Sequence, residues 1–117
     1  MFAFTLREVP KSVRAALAAA DWAIDDVDAF VFHQANKFML DHLGKRCGAP
    51  AERIKFSIEE FGNTSSATIP LTLVTAMADE LEKSSSRVLA SGFGVGWSWA
   101  SCAATLGPMP RPTLREI

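Results

Sequence analysis

Three short motifs in this 117-residue chain contain groups that could do chemistry. In chain order they are His33-Gln34-Ala35-Asn36, Gly62-Asn63-Thr64-Ser65-Ser66-Ala67 and Gly92-Phe93-Gly94-Val95-Gly96. An imidazole can exchange a proton near neutral pH, an amide can donate hydrogen bonds, and glycine lets the main chain approach a ligand closely. A histidine, an asparagine and a glycine turn are therefore candidates for an active site, if the fold brings them together.

Each motif also has an ordinary structural explanation. A lone histidine such as His33 is often a surface or structural residue, and Asn63 beside a glycine is typical of a tight turn. The glycines at 92, 94 and 96 resemble a phosphate-binding loop, but they precede a predicted strand instead of a helix, which argues against a nucleotide site. What singles the motifs out is their joint occurrence.

Composition narrows the class of protein. Hydrophobic residues make up 49% and charged residues 21%, and the net charge of −1 argues against nucleic acid as the main partner. The longest apolar run, near residues 15–20, is far too short to span a bilayer. Cys47 and Cys102 have no CxxC spacing, and the first 30 residues do not resemble a signal peptide. We therefore expect a cytoplasmic protein with no metal site and one domain over residues 1–117.

Hydrophobic periodicity predicts the elements that must position these motifs. Apolar residues four apart predict amphipathic helices, and short apolar or alternating runs predict strands. Gly48 followed by Pro50 ends one helix, and Pro70 falls in the first turn of another. We expect three helices, over 8–20, from just after His33 to Cys47, and over 69–81, of which the last is the longest and most buried. We expect strands over 28–32, 53–58, 88–90 and 98–106, followed by an irregular tail over 107–117.

Strands that alternate with helices predict an α/β fold. The expected sheet is mixed and mostly parallel, with helices on its faces and a final antiparallel pair of strands joined through the glycines. Because the carboxyl ends of parallel strands meet at one edge, such folds build their sites there. His33, Asn63 and the glycine turn all follow predicted strands, so we expect them at the same edge.

The order and spacing of the motifs, with Ile69-Pro70 and with Trp97-Ser98-Trp99 after the glycines, resemble the C-terminal half of a β-ketoacyl-acyl carrier protein synthase III. This family belongs to the thiolase-like superfamily, and the resemblance runs from about Thr5 to Leu106. It implies one half of a thiolase-like fold. It also implies a decarboxylating Claisen condensation of an acyl thioester with a malonyl thioester, in fatty acid or related biosynthesis.

The resemblance assigns a role to each motif. His33 and Asn63 would be the histidine and asparagine of the family's Cys-His-Asn triad, donating hydrogen bonds to the enolate oxygen that decarboxylation creates. The backbone at Gly94 and Gly96 would contribute to the oxyanion hole for acyl transfer. Asn36 would face the pantetheine arm of the substrate.

The expected substrates arrive on coenzyme A or on the phosphopantetheine of an acyl carrier protein, and no resident cofactor is implied. Where family members carry an arginine, this chain has Phe38, but a basic patch of Lys37, Lys45 and Arg46 lies in the same region. Such a patch could steer an acidic carrier protein, or it could be only the solvated face of a helix.

The family's cysteine nucleophile has no counterpart in this chain. Cys47 falls on an apolar helical stripe and Cys102 in the middle of a strand, so both are expected in the core, where a thiol is inert. In the resemblance, the reactive cysteine belongs to the N-terminal half. We therefore expect a chain that is inactive alone and that pairs with that half, with a partner subunit or with itself as a homodimer. The alternatives are a non-enzymatic scaffold half, or an acyltransferase of another thiolase-like branch such as the hydroxymethylglutaryl-coenzyme A or chalcone synthases.

Overall fold

The computed structural model describes residues 2–116 and contains five helices and three strands within that range. Three short 3-10 turns cover Ile24–Asp26, Ala51–Arg53 and Ser65–Ala67. The main elements are α1 (Phe2–Ala20), β1 (Ala29–Phe32), α2 (Lys37–Cys47), α3 (Ile58–Phe61), α4 (Thr68–Ala76), α5 (Ala78–Lys83), β2 (Ser86–Gly94) and β3 (Ser98–Leu106).

The sheet has the order β1-β2-β3, with β1 parallel to β2 and β2 antiparallel to β3. The mixed α/β class and the final antiparallel pair are thus confirmed. All four residues of β1 are buried, since the two faces of the strand contribute to different hydrophobic clusters. Phe30 and Phe32 pack with α1 and α2 on one face, while Ala29 and Val31 pack with Met77 and Leu81 on the other.

Helix α1 begins at Phe2, six residues before the predicted start at Glu8. Its buried stripe includes Val9, Val13 and Leu17, which is the stripe that the sequence predicted. The extra turns are supported by aromatic contacts from distant elements. The Phe4 ring lies with its centroid 4.2 Å from that of Trp97, and Phe2 stacks on Phe38 at 5.7 Å.

The strand predicted over residues 53–58 is wrong. Only Ile54 pairs with β1, through one isolated bridge to Phe30. The Lys55 N–H still donates to the Phe30 carbonyl at 3.0 Å, but the N–H groups of Ser57 and Ile58 both donate to the side-chain oxygen of Gln34, at 3.0 and 3.2 Å. Because a buried side chain takes these donors, the segment leaves the sheet and turns into α3.

The single helix predicted over residues 69–81 is also wrong. The backbone at Met77 has φ −120° and ψ 11°, which separates α4 from α5, and α1 with 19 residues is longer than either. Met77 and Leu81 are buried as predicted. In α4, however, the buried residues are two threonines, Thr68 and Thr72.

Two further differences come from local surroundings. Helix α2 begins at Lys37 and not directly after His33, because Asn36 adopts an extended backbone and caps it. Cys102, predicted in the core, is exposed. It lies on β3, whose only strand neighbour in the described sheet is β2, so an apolar run there does not imply burial.

No helix within residues 2–116 is long and apolar enough to cross a membrane. From Gly107 to Glu116 the chain has neither helix nor strand, and Ile117, the last residue of the predicted tail, lies outside the described residues.

Candidate active site

A groove of about 1210 Å³ lies at the carboxyl ends of β1 and β2. It brings together residues from all three motifs, which are separated by up to 61 positions in the sequence. Its walls include His33 and Asn36 from the first motif, Asn63 from the second, and Gly92 and Gly94 from the third. Neither cysteine, nor Gly96, nor any of the three predicted basic patch residues is among its lining residues.

His33 directly continues β1, since its backbone N–H donates to the Ser91 carbonyl at 2.9 Å. The imidazole is half-buried, with its Nδ1 atom 2.7 Å from the Thr68 hydroxyl and its ring packed edge-on against Phe93, 5.3 Å between centroids. Burial lowers the pKa of His33, and a hydrogen bond with the Ser65 carbonyl opposes part of this effect. The ring is therefore neutral near pH 7 and can donate a hydrogen bond without carrying charge.

Asn63 lies in the exposed loop between α3 and α4, not after a strand as predicted. Gly62 before it has φ 69°, a backbone conformation that favours glycine. The Asn63 side-chain oxygen accepts a hydrogen bond from the Ser65 N–H at 2.9 Å. With the oxygen engaged in this turn, the Nδ2 amide group is the part of the side chain that can donate to a ligand.

Gln34 has a structural role that sequence reasoning missed. It is fully buried, and its Nε2 donates to the Phe32 carbonyl at 2.8 Å while its Oε1 accepts from Ser57 and Ile58. The side chain thus ties the end of β1 to the start of α3. A glutamine directly after a buried strand was the available signal, because a buried amide must find several partners.

Asn36 is the N-cap of α2, and its side-chain oxygen accepts from the Met39 N–H at 2.8 Å. Its amide nitrogen remains a possible donor at the groove wall. Close beside it in sequence, Phe38 is 65% exposed and also lines the groove. The pantetheine position predicted for Asn36 is therefore bordered by both a polar and an aromatic side chain.

Of the two glycines predicted for the oxyanion hole, one lines the groove and the other does not. Gly94 is the last residue of β2, lines the groove, and has open space where a Cβ would stand. Gly96 has φ 130°, a conformation that L side chains rarely adopt, and it lies in the turn beyond the groove. Main chain at Gly94 is thus accessible to a ligand, while Gly96 shapes the reversal into β3.

The three predicted patch residues do not form one cluster. Lys37, in the first turn of α2, makes an ion pair with Glu59 at 2.7 Å, which raises the pKa of the lysine and lowers that of the carboxyl. Lys45 and Arg46 are exposed in the last turn of the same helix, roughly 12 Å further along its axis.

Neither cysteine is placed to act in the groove. Cys47 is buried in the core, and burial raises the pKa of its thiol to about 11, so almost none is thiolate near pH 7. Cys102 is exposed on β3. Within the described residues the groove therefore has hydrogen-bond donors but no thiol.

A three-stranded mixed sheet with helices on its faces and a groove at the carboxyl ends of β1 and β2 is the architecture of one half of a thiolase-like fold. Residues 17–106 match the family described as 3-oxoacyl-[acyl-carrier-protein] synthase III C terminal. Because this match covers most of the sequence, the chain belongs to that family.

Similar proteins carry the corresponding names. The chain is 41% identical over 101 residues to a β-ketoacyl-[acyl-carrier-protein] synthase III of Acaryochloris marina, covering 86% of the chain and 30% of the relative. It is 39% identical over 98 residues to that of Limosilactobacillus reuteri, with 84% and 30% covered. The crystal structure of 3-oxoacyl-(acyl-carrier protein) synthase from Burkholderia xenovorans superimposes with a TM-score of 0.93 and 49% identity, over 96% of this chain and 32% of that one.

The chain spans about a third of the length of the relatives it matches. The family and the fold are therefore those of the C-terminal part of a synthase III.

Proposed function

We propose that this chain is the C-terminal catalytic domain of a 3-oxoacyl-[acyl-carrier-protein] synthase III type acyltransferase. The complete reaction is a decarboxylating Claisen condensation of an acyl thioester with a malonyl thioester. The observation that carries the proposal is the groove in which His33 and Asn63 both offer an uncharged hydrogen-bond donor.

The decarboxylation step uses these two donors. When the malonyl group loses carbon dioxide, the electron pair of the broken carbon–carbon bond passes into an enolate, and negative charge collects on the thioester oxygen. A ring N–H of His33 and the Nδ2–H of Asn63 would stabilise that oxygen. Donors that are already oriented before the reaction act most strongly in a site that excludes bulk water.

The acyl-transfer step requires a thiolate that the groove does not contain. In the proposed reaction a cysteine of the other half attacks the acyl thioester and expels its thiol carrier. The enolate carbon then attacks the acyl-cysteine carbonyl, forms the new carbon–carbon bond and releases the thiolate. The accessible main chain at Gly94, with the turn at Gly96 behind it, would contribute to the oxyanion hole for these steps.

The surface of α4 is evidence that another domain or subunit packs on this chain. Six of the nine residues of this helix are apolar, yet only Thr68 and Thr72 are buried, and its large aliphatic side chains are half-buried. A helix with this much partly exposed apolar surface normally packs against a second layer of structure. We propose that the second layer is the domain that precedes this region in the longer relatives, with self-association of the chain as the outcome when that domain is missing.

The proposed substrates arrive on coenzyme A or on the phosphopantetheine of an acyl carrier protein, and the proposed chemistry uses no resident metal or cofactor. Lys45 and Arg46, exposed at the end of α2, would attract an acidic carrier. The two unpaired cysteines fit a reducing, cytoplasmic compartment.

A second candidate is a scaffold half that pairs with a partner subunit and performs no catalysis. The position of both cysteines outside the groove favours it, because a chain without a nucleophile can bind acyl carriers without transferring acyl groups.

The test combines this chain with the separately produced N-terminal two-thirds of the Burkholderia xenovorans relative. Mass spectrometry after incubation with an acyl-coenzyme A should find the acyl group on a cysteine of the added part and none on Cys47 or Cys102. A condensation product after addition of a malonyl thioester supports the catalytic proposal. Acylation of Cys47 or Cys102 followed by condensation, in this chain alone, would contradict it. A stable complex that never forms product would favour the scaffold.

A further inference from the structure

The Thr68 hydroxyl is the hydrogen-bonding partner of His33 Nδ1, although the two residues lie 35 positions apart in the sequence. Thr68 is 1% exposed and is the first residue of α4, at the side of the groove. A hydroxyl has one proton, and when it is buried that proton needs an acceptor. Among the hydrogen bonds of the described residues, the Thr68 hydroxyl has His33 Nδ1 as its partner, and a neutral imidazole nitrogen without a proton can accept.

The neighbouring hydroxyls already have acceptors of their own. Thr72 donates to the Thr68 carbonyl at 2.7 Å, which leaves the Thr72 oxygen to accept from Ser57, also at 2.7 Å. This chain of buried hydroxyls therefore holds the first turn of α4 in place without using the Thr68 hydroxyl proton. That proton remains free to go to the imidazole.

We propose that Thr68 is a positioning residue that fixes the tautomer of His33, donating to Nδ1 so that the ring proton resides on Nε2. With Nδ1 accepting from Thr68, the Nε2–H is the donor that a substrate oxygen in the groove would meet. The donation to a substrate oxygen rests on the proposed function, whereas the tautomer of His33 does not.

His42 provides an internal reference with the opposite arrangement. Its Nδ1 lies 2.9 Å from the Phe38 carbonyl, an atom that can only accept, so Nδ1 must carry the proton there. The chain contains only these two histidines. One spectrum therefore contains a histidine of each expected tautomer.

The experiment is a long-range ¹H–¹⁵N correlation spectrum of the ¹⁵N-labelled chain above pH 7, with signals assigned by the variant His42→Gln. We expect His33 to have its proton on Nε2 and His42 on Nδ1. A His33 signal typical of a proton on Nδ1 in the unsubstituted chain would overturn the proposal without any variant at position 68.

Two substitutions at Thr68 separate positioning from packing. Thr68→Val keeps the shape but removes the hydroxyl, and we expect the ratio of the Nε2–H to the Nδ1–H form of His33 to fall about fivefold, the effect of one neutral hydrogen bond. Thr68→Ser keeps the hydroxyl and should restore the original ratio. An unchanged ratio in Thr68→Val would contradict the proposal.

Thr75→Val is the matched control, because Thr75 lies on the same helix, donates to the Leu71 carbonyl at 2.7 Å and does not line the groove. It should leave the His33 signals unchanged, and a change equal to that of Thr68→Val would show that the effect comes from the helix and not from the hydroxyl. If His33 has its proton on Nε2 but the condensation test yields no product, the proposed function is contradicted and this inference is not.

Discussion

His33 and Asn63 line the same groove, but the protein holds them in different ways. His33 continues a buried strand and is contacted by Thr68, Ser65 and Phe93, all at least 32 positions away. Asn63 sits in an exposed loop, and its side-chain hydrogen bond is to the backbone two residues later. One donor is thus built into the core of the domain, while the other is set by a local turn.

This difference suggests how the site is divided between the parts of a synthase. The histidine side is organised by contacts within this chain and does not need another domain to be oriented. The asparagine side is exposed, next to the apolar helix α4, where the proposed second layer would pack. Substitutions that are equivalent for catalysis should therefore differ in their effect on the stability of this chain.

The largest expected effect is on catalysis, where the two donors should be equivalent. In the complex of this chain with the added N-terminal part, His33→Ala and Asn63→Ala should each lower the rate of malonyl decarboxylation about 10²–10³-fold, the usual loss for one oxyanion donor. Carbon dioxide release measures it. Cys102→Ser is the control, since this residue is exposed on β3, does not line the groove and has no role in the proposed mechanism. A rate within threefold of wild type for either donor variant would remove that residue from the proposed mechanism.

The second effect is on stability, and it should be larger for a substitution on the histidine side of the groove than for one on the asparagine side. Gln34→Met leaves the Phe32 carbonyl and the N–H groups of Ser57 and Ile58 without their partner, and each buried unpaired group costs about 1 kcal/mol or more. We expect the free energy of unfolding to fall by about 3 kcal/mol, measured by urea denaturation.

Asn63→Ala should cost less than about 1 kcal/mol in the same measurement, because it removes one exposed hydrogen bond. An equal fall in the free energy of unfolding for Gln34→Met and Asn63→Ala would contradict the difference between the histidine side, which is built into the core, and the asparagine side, which is held by a local turn.

The smallest effect is on pH dependence and concerns only the histidine side. Burial lowers the pKa of His33, so the unfolded chain binds a proton more readily than the folded one. The contribution of this residue to stability is complete above the ordinary histidine pKa of about 6.5 and is lost as the pH falls from there towards the lower folded value. An NMR titration of the His33 ring should have its midpoint below 6.5.

His33→Gln should remove this part of the pH dependence of unfolding, whereas Asn63→Ala should keep it. A titration midpoint for His33 at or above the ordinary histidine pKa would show that burial does not determine the pKa of this ring.

Local patterns predicted the parts of the fold that depend on local sequence. The apolar run ending at His33, the stripe of α1 and the hairpin through the glycines are all encoded within a few residues, and all three were found. The motifs also contain the groove residues His33, Asn36, Asn63 and Gly94. His33 follows β1 and Gly94 ends β2, as expected, whereas Asn63 reaches the groove from the loop between α3 and α4.

Contacts between distant segments account for the failures. The strand expected at residues 53–58 is replaced because Gln34 takes its backbone donors, and α4 and α5 separate at Met77. The exposure of Cys102 depends on what lies beside β3, which periodicity cannot report. The contact between Thr68 and His33 likewise joins two motifs that no local rule connects.

The most direct test of the central claim, that this domain supplies the donors and a second domain supplies the nucleophile, is carbon dioxide release from a malonyl thioester and an acyl-coenzyme A. It would be measured for this chain, for the N-terminal part of the Burkholderia xenovorans relative and for their mixture. We predict release and condensation product only in the mixture. Condensation by this chain alone, or a stable mixed complex with no carbon dioxide release, would contradict the account.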